Sequence, residues 1–485
     1  MPQTKSDSSR SIIPHGLHPV VGLDPRSLGA FRICLGLCVL FTIGSFGRDF
    51  GSIYGADGVL PLETFIKALT PARAYLLLPF TLAPEAIEWL LPSALGLCGV
   101  LLVLGVGTRA ASLVAWLGFY CLSIRNPVIM NYGDELLARL LFWSMFLPLD
   151  RSYSVKALMQ PSRRIEITPV IGVATAGLLL QIAVIYFIGG AGKTGPDWTV
   201  DGSALSYVMG QQYWATPYSA WILNFPQFAT LGSLLTPWAE LGIFVILLSP
   251  IATQPLRLVA VAMIYAFHIT LIVTMTLGVA PFVSLAAALA VLPPLFWDRG
   301  QVKQLPADDT YEEDSIRVKR PGRLLEVLLL VPLFMIPVFA SVGAQVHLVP
   351  QPIKGIGIWL RQIQPFEVFS PSVMHHDGWF SAPGLLSDGQ HIDLNRNGAP
   401  YTASPPDSVP WAGDSYRWGI FNEQVVRRAD TIPTNYVLWM CRQWNDEHPT
   451  QRVLSLDLEW NMIDRTIGAQ DHSPHVMKLV QSNCP

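Results

Sequence analysis

The residues of this chain that could do chemistry are single ionisable groups set in or beside long apolar stretches. Lys193 follows one such stretch in "FIGGAGKTGPDW", and His268 lies inside another in "YAFHITLIV". A lysine that neighbouring helices shield from water can lose its proton and act as a general base. The stretch is not a phosphate-binding loop, because that motif needs a glycine where Phe187 stands. Lys193 is therefore a candidate catalytic base, and snorkelling to a membrane interface is the alternative.

Further ionisable groups lie inside apolar stretches, where they cost free energy and are functional candidates. Asp134 and Arg139 lie five residues apart in "MNYGDELLARLL" and could help to position a substrate. Arg139 and Glu240 have a second interpretation, a structural ion pair with another helix. His268 has the second interpretation of a hydrogen-bonded core histidine. No His, Cys and carboxylate cluster has metal-ligand spacing, so we predict no metal, and a turn in "HHDGWF", residues 375–380.

The composition indicates that lipid surrounds much of the chain. Of its 485 residues, 51% are hydrophobic and only 14% are charged, whereas soluble domains average roughly 25% charged residues. The net charge of −3 gives no sign of nucleic-acid binding. Membrane lipids are therefore the predicted surroundings.

The elements that must position these groups are apolar stretches of about 20 residues, the length that crosses a bilayer as a helix. The hydropathy pattern predicts about nine transmembrane helices, at residues 27–46, 86–106, 110–126, 134–149, 168–189, 227–249, 256–277, 279–297 and 324–343. A polar cytoplasmic tail, residues 1–26, precedes them, and a charged cytoplasmic loop, residues 301–323, precedes the last one. This order divides the chain into a membrane domain over residues 27–300 and a final helix over 324–343.

The charge distribution predicts the orientation, since cytoplasmic segments carry an excess of Lys and Arg. With the N-terminus in the cytoplasm, the cytoplasmic segments hold fifteen Lys and Arg residues and the short outer segments hold five. Lys193 then lies at the outer end of the fifth helix.

Residues 344–485 lack the long apolar stretches of the preceding part, and their sequence pattern predicts a small mixed α/β extracytoplasmic domain. Asp-Gly and Asn-Gly pairs in "LLSDGQHIDLNRNGAP" indicate β-hairpins, and "TNYVLWMCRQWNDEH" is typical of a helix. Cys441 and Cys484 lie in this domain. They can pair if the compartment is oxidising, or they can remain reduced. The predicted fold class is thus an all-α polytopic membrane domain followed by this α/β domain.

Several blocks together resemble the horizontally transferred transmembrane (HTTM) domain, a family that includes the vitamin K-dependent gamma-glutamyl carboxylases and many bacterial proteins. They are "LDPRSLGAFRICLGLCVL", "YGADGVLP", "MNYGDELLARLLFWSMFLPLDRSYSV", "QIAVIYFIGGAGKTGPDWTVDGSALSY" and "AFHITLIV". The resemblance covers residues 20–300, and the block around Lys193 is the most specific. It implies a bacterial cytoplasmic membrane protein, and the tail is similar to the outer domain of bacterial relatives.

The resemblance also implies roles for residues. In the carboxylases, the lysine at the position of Lys193 is the base that starts oxygenation of a reduced naphthoquinone, vitamin K hydroquinone. His268 falls where the family has a histidine on a later span. The carboxylase histidine near the start of the fourth span has no counterpart, since Gly133 stands there. The remaining candidates for substrate binding in these blocks are Asn131, Asp134, Arg139, Tyr186, Asp197 and Trp198.

Three functions follow as hypotheses. The first is a carboxylase- or epoxidase-like membrane enzyme with a quinone-like or other lipophilic substrate and Lys193 as base. The second is a non-enzymatic accessory or assembly subunit that binds a protein partner through the outer domain. A transporter ranks last, because no inverted repeat is visible. The surroundings of Lys193 discriminate the first two. Burial in a chamber that reaches the lipid and the outer face favours chemistry, whereas a solvated lysine or a surface salt bridge with Asp197 favours the subunit.

Overall fold

A computed structural model describes residues 13–67, 69, 74–159, 168–211, 214–298, 368–402, 404, 416–427, 431–465 and 474–485, with single residues between 352 and 362. The predicted loop over 301–323 and the predicted final span over 324–343 lie outside the described residues.

The N-terminal part is helical. Its principal helices are α1 (Pro25–Gly44), α2 (Pro84–Leu104), α3 (Thr108–Arg125), α4 (Tyr132–Ser144), α5 (Val173–Gly192), α6 (Pro226–Leu247), α7 (Thr253–Thr274) and α8 (Ala280–Ala290). Short helices in the connections span His18–Val21, Phe50–Tyr54, Leu62–Lys67, Leu78–Leu82, Val155–Met159, Pro196–Thr199, Ala204–Gly210, Pro217–Leu223 and Pro294–Trp297. Each principal helix matches one predicted span to within a few residues at its start.

Five of the described helices are long and apolar enough to cross a membrane, namely α1, α2, α5, α6 and α7. The predicted count of nine spans is not confirmed. The stretch predicted over 134–149 is helical only from Tyr132 to Ser144, and α8 has 11 residues, so both fall short of the length that a span needs. The 18-residue α3 begins and ends with charged Arg109 and Arg125, which lower its hydropathy.

Helix α5 is the most buried of the five helices that are long and apolar enough to cross a membrane. Its apolar window is 72% buried inside the protein, against 22% for α2 and 28% for α6 and α7. The outer helices therefore turn apolar side chains away from the protein, as a lipid-facing surface requires, and Trp89, Leu97 and Trp238 are among the exposed ones.

Close packing between α1 and α2 depends on two glycines. A Cβ atom on Gly36 would lie 2.7 Å from the carbonyl oxygen of Gly99, and one on Gly99 would lie 2.8 Å from Cγ of Leu40. Small residues at such crossings let helix backbones approach each other, which is a main source of helix association in membranes.

Buried arginines in this part are held by backbone carbonyl groups. Arg32 donates hydrogen bonds to the carbonyls of Leu102 and Tyr153, at 2.6 and 2.7 Å. Arg257 donates to the carbonyls of Val20 and Gly22. Carbonyl groups near helix ends lack partners within their helix, so each guanidinium satisfies groups that would otherwise be buried without a hydrogen bond.

The C-terminal part is a small α/β domain, which agrees with the predicted order of domains. It contains β1 (His376–Ser381), β2 (Pro383–Leu386), β3 (His391–Asp393), β4 (Ala399–Pro400), α9 (Tyr416–Arg427), α10 (Thr431–Glu447), β5 (Val453–Asp464) and β6 (His475–Asn483). The sheet is antiparallel in the order β1-β5-β2-β3-β4, and β6 pairs with the other edge of β5.

Among the local structures predicted for this domain, two turns and a helix are confirmed and one turn is wrong. The Asp388-Gly389 and Asn397-Gly398 pairs connect antiparallel strands, as predicted, and the predicted helix is α10. The turn predicted in "HHDGWF" is wrong, because residues 376–381 form β1 and pair along their length with β5. Cys441 of α10 and Cys484 after β6 form a disulfide.

We expect Gly36→Ala to lower the free energy of unfolding by about 1–3 kcal/mol, because its methyl group collides with the backbone of α2. The matched control is Gly96→Ala on α2, where a Cβ atom meets nothing within 4 Å; it should be neutral or stabilising. Thermal unfolding in detergent measures both. Equal effects of the two substitutions would contradict the close approach.

Candidate functional site

Lys193 is a buried amine at the end of helix α5. It follows the last residue of α5, its side chain is 5% exposed, and it turns back along the helix. Its Nζ donates a 3.0 Å hydrogen bond to the carbonyl of Gly189 and a 2.7 Å hydrogen bond to Oε2 of Glu240 on α6. A cation at this place also interacts favourably with the negative end of the helix dipole.

Lys193 therefore neither reaches a solvated membrane interface nor forms a solvated pair with Asp197. The carboxylate beside it belongs to Glu240, whose side chain is 8% exposed, and the carboxylate of Asp197 is engaged elsewhere. The interpretation of Glu240 as a partner in an ion pair between helices agrees with this geometry.

The glycines before Lys193 form a packing surface. A Cβ atom on Gly189 would lie 2.9 Å from Oε1 of Glu240, and one on Gly190 would lie 2.6 Å from the carbonyl oxygen of Pro237. Helix α5 therefore approaches α6 closely enough for the amine and the carboxylate to meet. The glycine-rich pattern that resembles a phosphate loop is explained by helix packing.

A segment of the C-terminal part covers this end of α5. In this covering segment, residues 369–373, the carbonyl of Pro371 accepts a 2.9 Å hydrogen bond from the Gly195 amide. A Cβ atom on Gly192 would lie 3.0 Å from Oγ of Ser370. Gly192 and Gly195 thus leave room for the covering segment as Gly189 and Gly190 leave room for α6.

Trp198 and Asp197 join Lys193 to the covering segment. Lys193 Nζ lies 5.3 Å from the centroid of the Trp198 ring, a distance typical of a cation–π contact. The indole Nε1 of Trp198 donates to the carbonyl of Phe369 at 2.9 Å. The Asp197 carboxylate accepts a 2.8 Å hydrogen bond from the amide of Val373 and lies 3.6 Å from Nε2 of His375.

The pKa of Asp197 shows how firmly this carboxylate is held. Burial alone would raise it, but the hydrogen bonds from the Val373 amide and the Ser372 hydroxyl hold the pKa below its ordinary value. A carboxyl group with a lowered folded-state pKa stabilises the fold above its unfolded pKa, and loses that contribution as the pH falls through the folded pKa. The contact between α5 and the covering segment is therefore complete at neutral pH.

His268 and Tyr186 form a second polar pair inside the bundle. Both side chains are buried, and the Tyr186 hydroxyl lies 3.1 Å from Nε2 of His268. Nδ1 of His268 has no hydrogen-bond partner in the described part of the chain. Tyr186 and Tyr132 both lie within electrostatic reach of Glu240, so the two phenols and the Lys193 pair occupy one region of the bundle.

Asn131 and Asp134 form the N-terminal cap of α4. The Asn131 side chain accepts a hydrogen bond from the Asp134 amide, and the Asp134 carboxylate accepts one from the Asn131 amide. Such a capping box satisfies two amides that have no partner within the helix. Both predicted substrate-binding side chains therefore have a structural task.

Asp134 also binds Arg417 of α9. The guanidinium donates two hydrogen bonds to the carboxylate, one of them 2.8 Å from Nη2 to Oδ1, and neither side chain is more than 1% exposed. Burial would lower the pKa of Arg417, but the charge and hydrogen bonds of Asp134, together with the neighbouring Tyr416 and Tyr54, outweigh burial and raise it. The ring of Phe46 lies 4.4 Å from the guanidinium carbon. This pair fastens the C-terminal domain to the helices.

Arg139 lies one turn further along α4. Its Nη1 donates to the carbonyl of Glu135 at 3.0 Å and lies 3.7 Å from Glu135 Oε2. The carboxylate of Glu135 belongs to α4, the same helix as Arg139. The second interpretation of Arg139 predicted an ion pair with a carboxylate on another helix. Arg139 is 1% exposed and lies within electrostatic reach of Tyr132.

Gly133 leaves no space for a side chain. A Cβ atom there would lie 2.6 Å from the backbone nitrogen and Cα of Ala280 at the start of α8. A histidine at this position would require α4 and α8 to separate. The described residues also contain no group of three His, Cys, Asp or Glu side chains that could hold a metal ion.

A comparison with protein families identifies the helical part. The model of the HTTM domain matches residues 21–297. The chain belongs to the HTTM domain family. The family match and the five apolar helices fit a membrane protein. No solved structure matches this HTTM protein.

Of the two charged partners found in the structure, Glu240 for Lys193 and Arg417 for Asp134, only Glu240 was indicated by the sequence. Glu240 is a lone acid in an apolar run, which marked it for a partner on another helix. Arg417 lies in the polar segment "YRWGIFNEQ", where an arginine is normal on an exposed face. Its burial follows only from the docking of the C-terminal domain.

We expect Lys193→Met and Glu240→Leu each to lower the free energy of unfolding by about 1–3 kcal/mol, because each leaves a buried polar partner without its hydrogen bond. The double variant should recover much of the loss, since neither group then lacks a partner. Thermal unfolding in detergent measures this cycle.

The control cycle is the exposed pair of Lys67 with Glu63, whose side chains are 73% and 85% exposed. Solvated pairs contribute little to stability, so Lys67→Met and Glu63→Leu should change the unfolding temperature little. Additive losses in the Lys193 cycle would show that the two groups do not interact.

We expect Arg417→Met to weaken the docking of the C-terminal domain by about 3–5 kcal/mol, because it leaves the Asp134 carboxylate buried without its counter-charge. Hydrogen exchange at the first turn of α4 should become faster. The control is Arg442→Met, which removes an exposed 3.3 Å contact to the carbonyl of Asp57. Similar exchange in both variants would rule out Arg417 as the principal fastening.

Proposed function

We propose that this protein is a membrane enzyme that removes a proton from a lipophilic hydroquinone-class substrate, with Lys193 as the general base. The observation that carries the proposal is the setting of Lys193, a buried amine at the position of the carboxylases' base. The bundle and the covering segment exclude water from it, and exclusion of water strengthens the electrostatic interactions of a proton transfer.

The proposal includes a location. Nine spans would place the N-terminus in the cytoplasm and the C-terminal domain outside a bacterial cytoplasmic membrane. The bias of Lys and Arg supports this orientation. The disulfide between Cys441 and Cys484 supports it as well, because disulfides persist in oxidising compartments outside the cytoplasm.

The described residues fit a reduced naphthoquinone as the bound group. The site offers a flat indole face on Trp198, the amine of Lys193, the buried phenol of Tyr186 and the partly buried phenol of Tyr132. Such a group, when bound, would supply the electrons for oxygen reduction. Lys193 would accept a hydroxyl proton at Nζ, Trp198 would orient the ring, and the Tyr186–His268 pair would provide a second proton-holding position.

We assign the other predicted residues by what they already bind. Asn131, Asp134 and Asp197 use their side chains in the helix cap and in contacts with the C-terminal domain, so their role is to position the site. Arg139 remains a candidate for contact with an anionic oxygen. Carboxylation of glutamate is not part of the proposal, because Gly133 leaves no room for the carboxylases' histidine.

A second function, an accessory subunit that binds a protein partner, rests on a different observation. Strand β6 pairs with β5 along one edge, and its exposed side chains include Val476 and Met477, at 52% and 48%. An open strand edge can bind an extended segment of another chain.

The test supplies reduced naphthoquinone and oxygen to wild-type protein, Lys193→Ala and Lys67→Ala in detergent, and measures the quinone epoxide by mass spectrometry. We expect epoxide from wild type and from Lys67→Ala, and at least a hundredfold less from Lys193→Ala, the usual scale for loss of a general base. Lys67 is the control because it is an exposed lysine in a helix.

The outcomes separate the hypotheses. Epoxide from all three proteins would exclude Lys193 as the base. Its absence from wild type would exclude the hydroquinone chemistry and leave the accessory subunit as the better function.

A further inference from the structure

The buried lysine raises a problem that the proposed function does not solve by itself. An ordinary lysine has a pKa of about 10.4, so at neutral pH only about one amine in two thousand is free to accept a proton. Burial favours the free amine, but a neighbouring carboxylate favours the ammonium form. Glu240 lies 2.7 Å from Nζ, so the carboxylate has to be part of the answer.

We propose that Glu240 is the positioning residue of this site and holds the proton that Lys193 must give up. This inference rests on the proposed function. The ammonium group of Lys193 transfers one proton to the Glu240 carboxylate, which yields a free amine and a carboxylic acid. The N–H bond breaks, the O–H bond forms, and the total charge of the pair stays zero.

The geometry supports this transfer. The donor–acceptor distance of 2.7 Å lies at the short end of the range for N–H···O hydrogen bonds, so the proton has only a short path between the two atoms. Both side chains are less than 10% exposed, and separated charges cost more than a neutral pair away from water. The Gly189 carbonyl accepts a hydrogen bond from Nζ in either state. The missing side chain of Gly189 gives the carboxyl group its place.

The charged and titratable groups around the pair come from three helices. Helix α4 contributes Tyr132 and Arg139, α5 contributes Tyr186, and α7 contributes His268 through its hydrogen bond to Tyr186. Within the described residues, no other carboxylate lies within 4 Å of Lys193 Nζ. Glu240 is therefore the group in position to take the proton.

After the transfer, the free amine can accept a hydroxyl proton from the substrate. The pair then carries one positive charge, which the substrate anion balances. The lysine reaches its basic form without losing a proton to the solvent, so a site closed to water can still be a base at neutral pH.

The experiment measures the pH dependence of epoxide formation between pH 5 and 9 for wild type, Glu240→Gln and Glu240→Asp. In wild type, activity is lost on the acid side only when the pair takes up a second proton. In Glu240→Gln, Lys193 must lose its proton to the solvent. We expect the midpoint of the acid limb in Glu240→Gln to stay within about half a pH unit of wild type, because a neutral amide then stands beside the amine where a neutral carboxyl group stood, and we expect Glu240→Asp to behave in the same way.

Two other results would overturn the inference. A midpoint that moves up by about one pH unit or more in Glu240→Gln would mean that the ion pair, and not the neutral pair, is the principal form of the wild-type site. A midpoint that moves to lower pH would mean that the carboxylate stays ionised and holds Lys193 in its charged form.

An infrared difference spectrum of wild type against Glu240→Gln at neutral pH gives a test that needs no activity. We expect the carbonyl stretch of one protonated carboxyl group in wild type, absent from the variant. Its absence from wild type would refute the inference even in an active enzyme. Its presence in a protein that makes no epoxide would confine the failure to the proposed function.

Discussion

The rest of the structure depends on the cost of keeping a charged group away from water. Isolated buried charges are unstable, so every buried ionisable side chain needs a partner that the fold supplies. Arg32 and Arg257 find carbonyl groups near helix ends, Asp134 finds Arg417, and Lys193 finds Glu240. These partners are far apart in sequence, so each one fixes the relative position of two segments. The polar groups of the interior thereby determine how the apolar helices assemble.

The C-terminal domain is part of the site as well as an attachment to it. The covering segment binds Asp197 and Trp198 through its backbone, and α9 supplies the arginine for Asp134. Removal of this domain would expose one end of α5 and leave a carboxylate of α4 unpaired. The helices and the following domain therefore form one structural unit.

The sequence predicted the apolar helices to within a few residues at their starts, because hydrophobicity and length are local properties. It also located Lys193 and His268, since an ionisable residue in an apolar run is visible without any structure. It did not predict Arg417, or the strand at residues 376–381, because both depend on contacts between distant segments. The count of nine spans is not confirmed for a related reason: α4 has only 13 residues and carries Asp134, Glu135 and Arg139, so it has neither the length nor the composition of a span. Asp134 and Asn131 looked like ligands for a substrate, but helix capping and domain docking already use them.

The covering segment has a consequence for how a substrate would reach Lys193. Gly192 and Gly195 allow this segment to lie directly against the end of α5, so the approach from the side of the C-terminal domain is closed. A lipophilic molecule would have to enter sideways, between helices, from the hydrocarbon layer. The relevant concentration is then the mole fraction of substrate in the bilayer or micelle rather than its amount per volume of solution. Dilution with inert lipid would slow such an enzyme, and dilution with buffer would not.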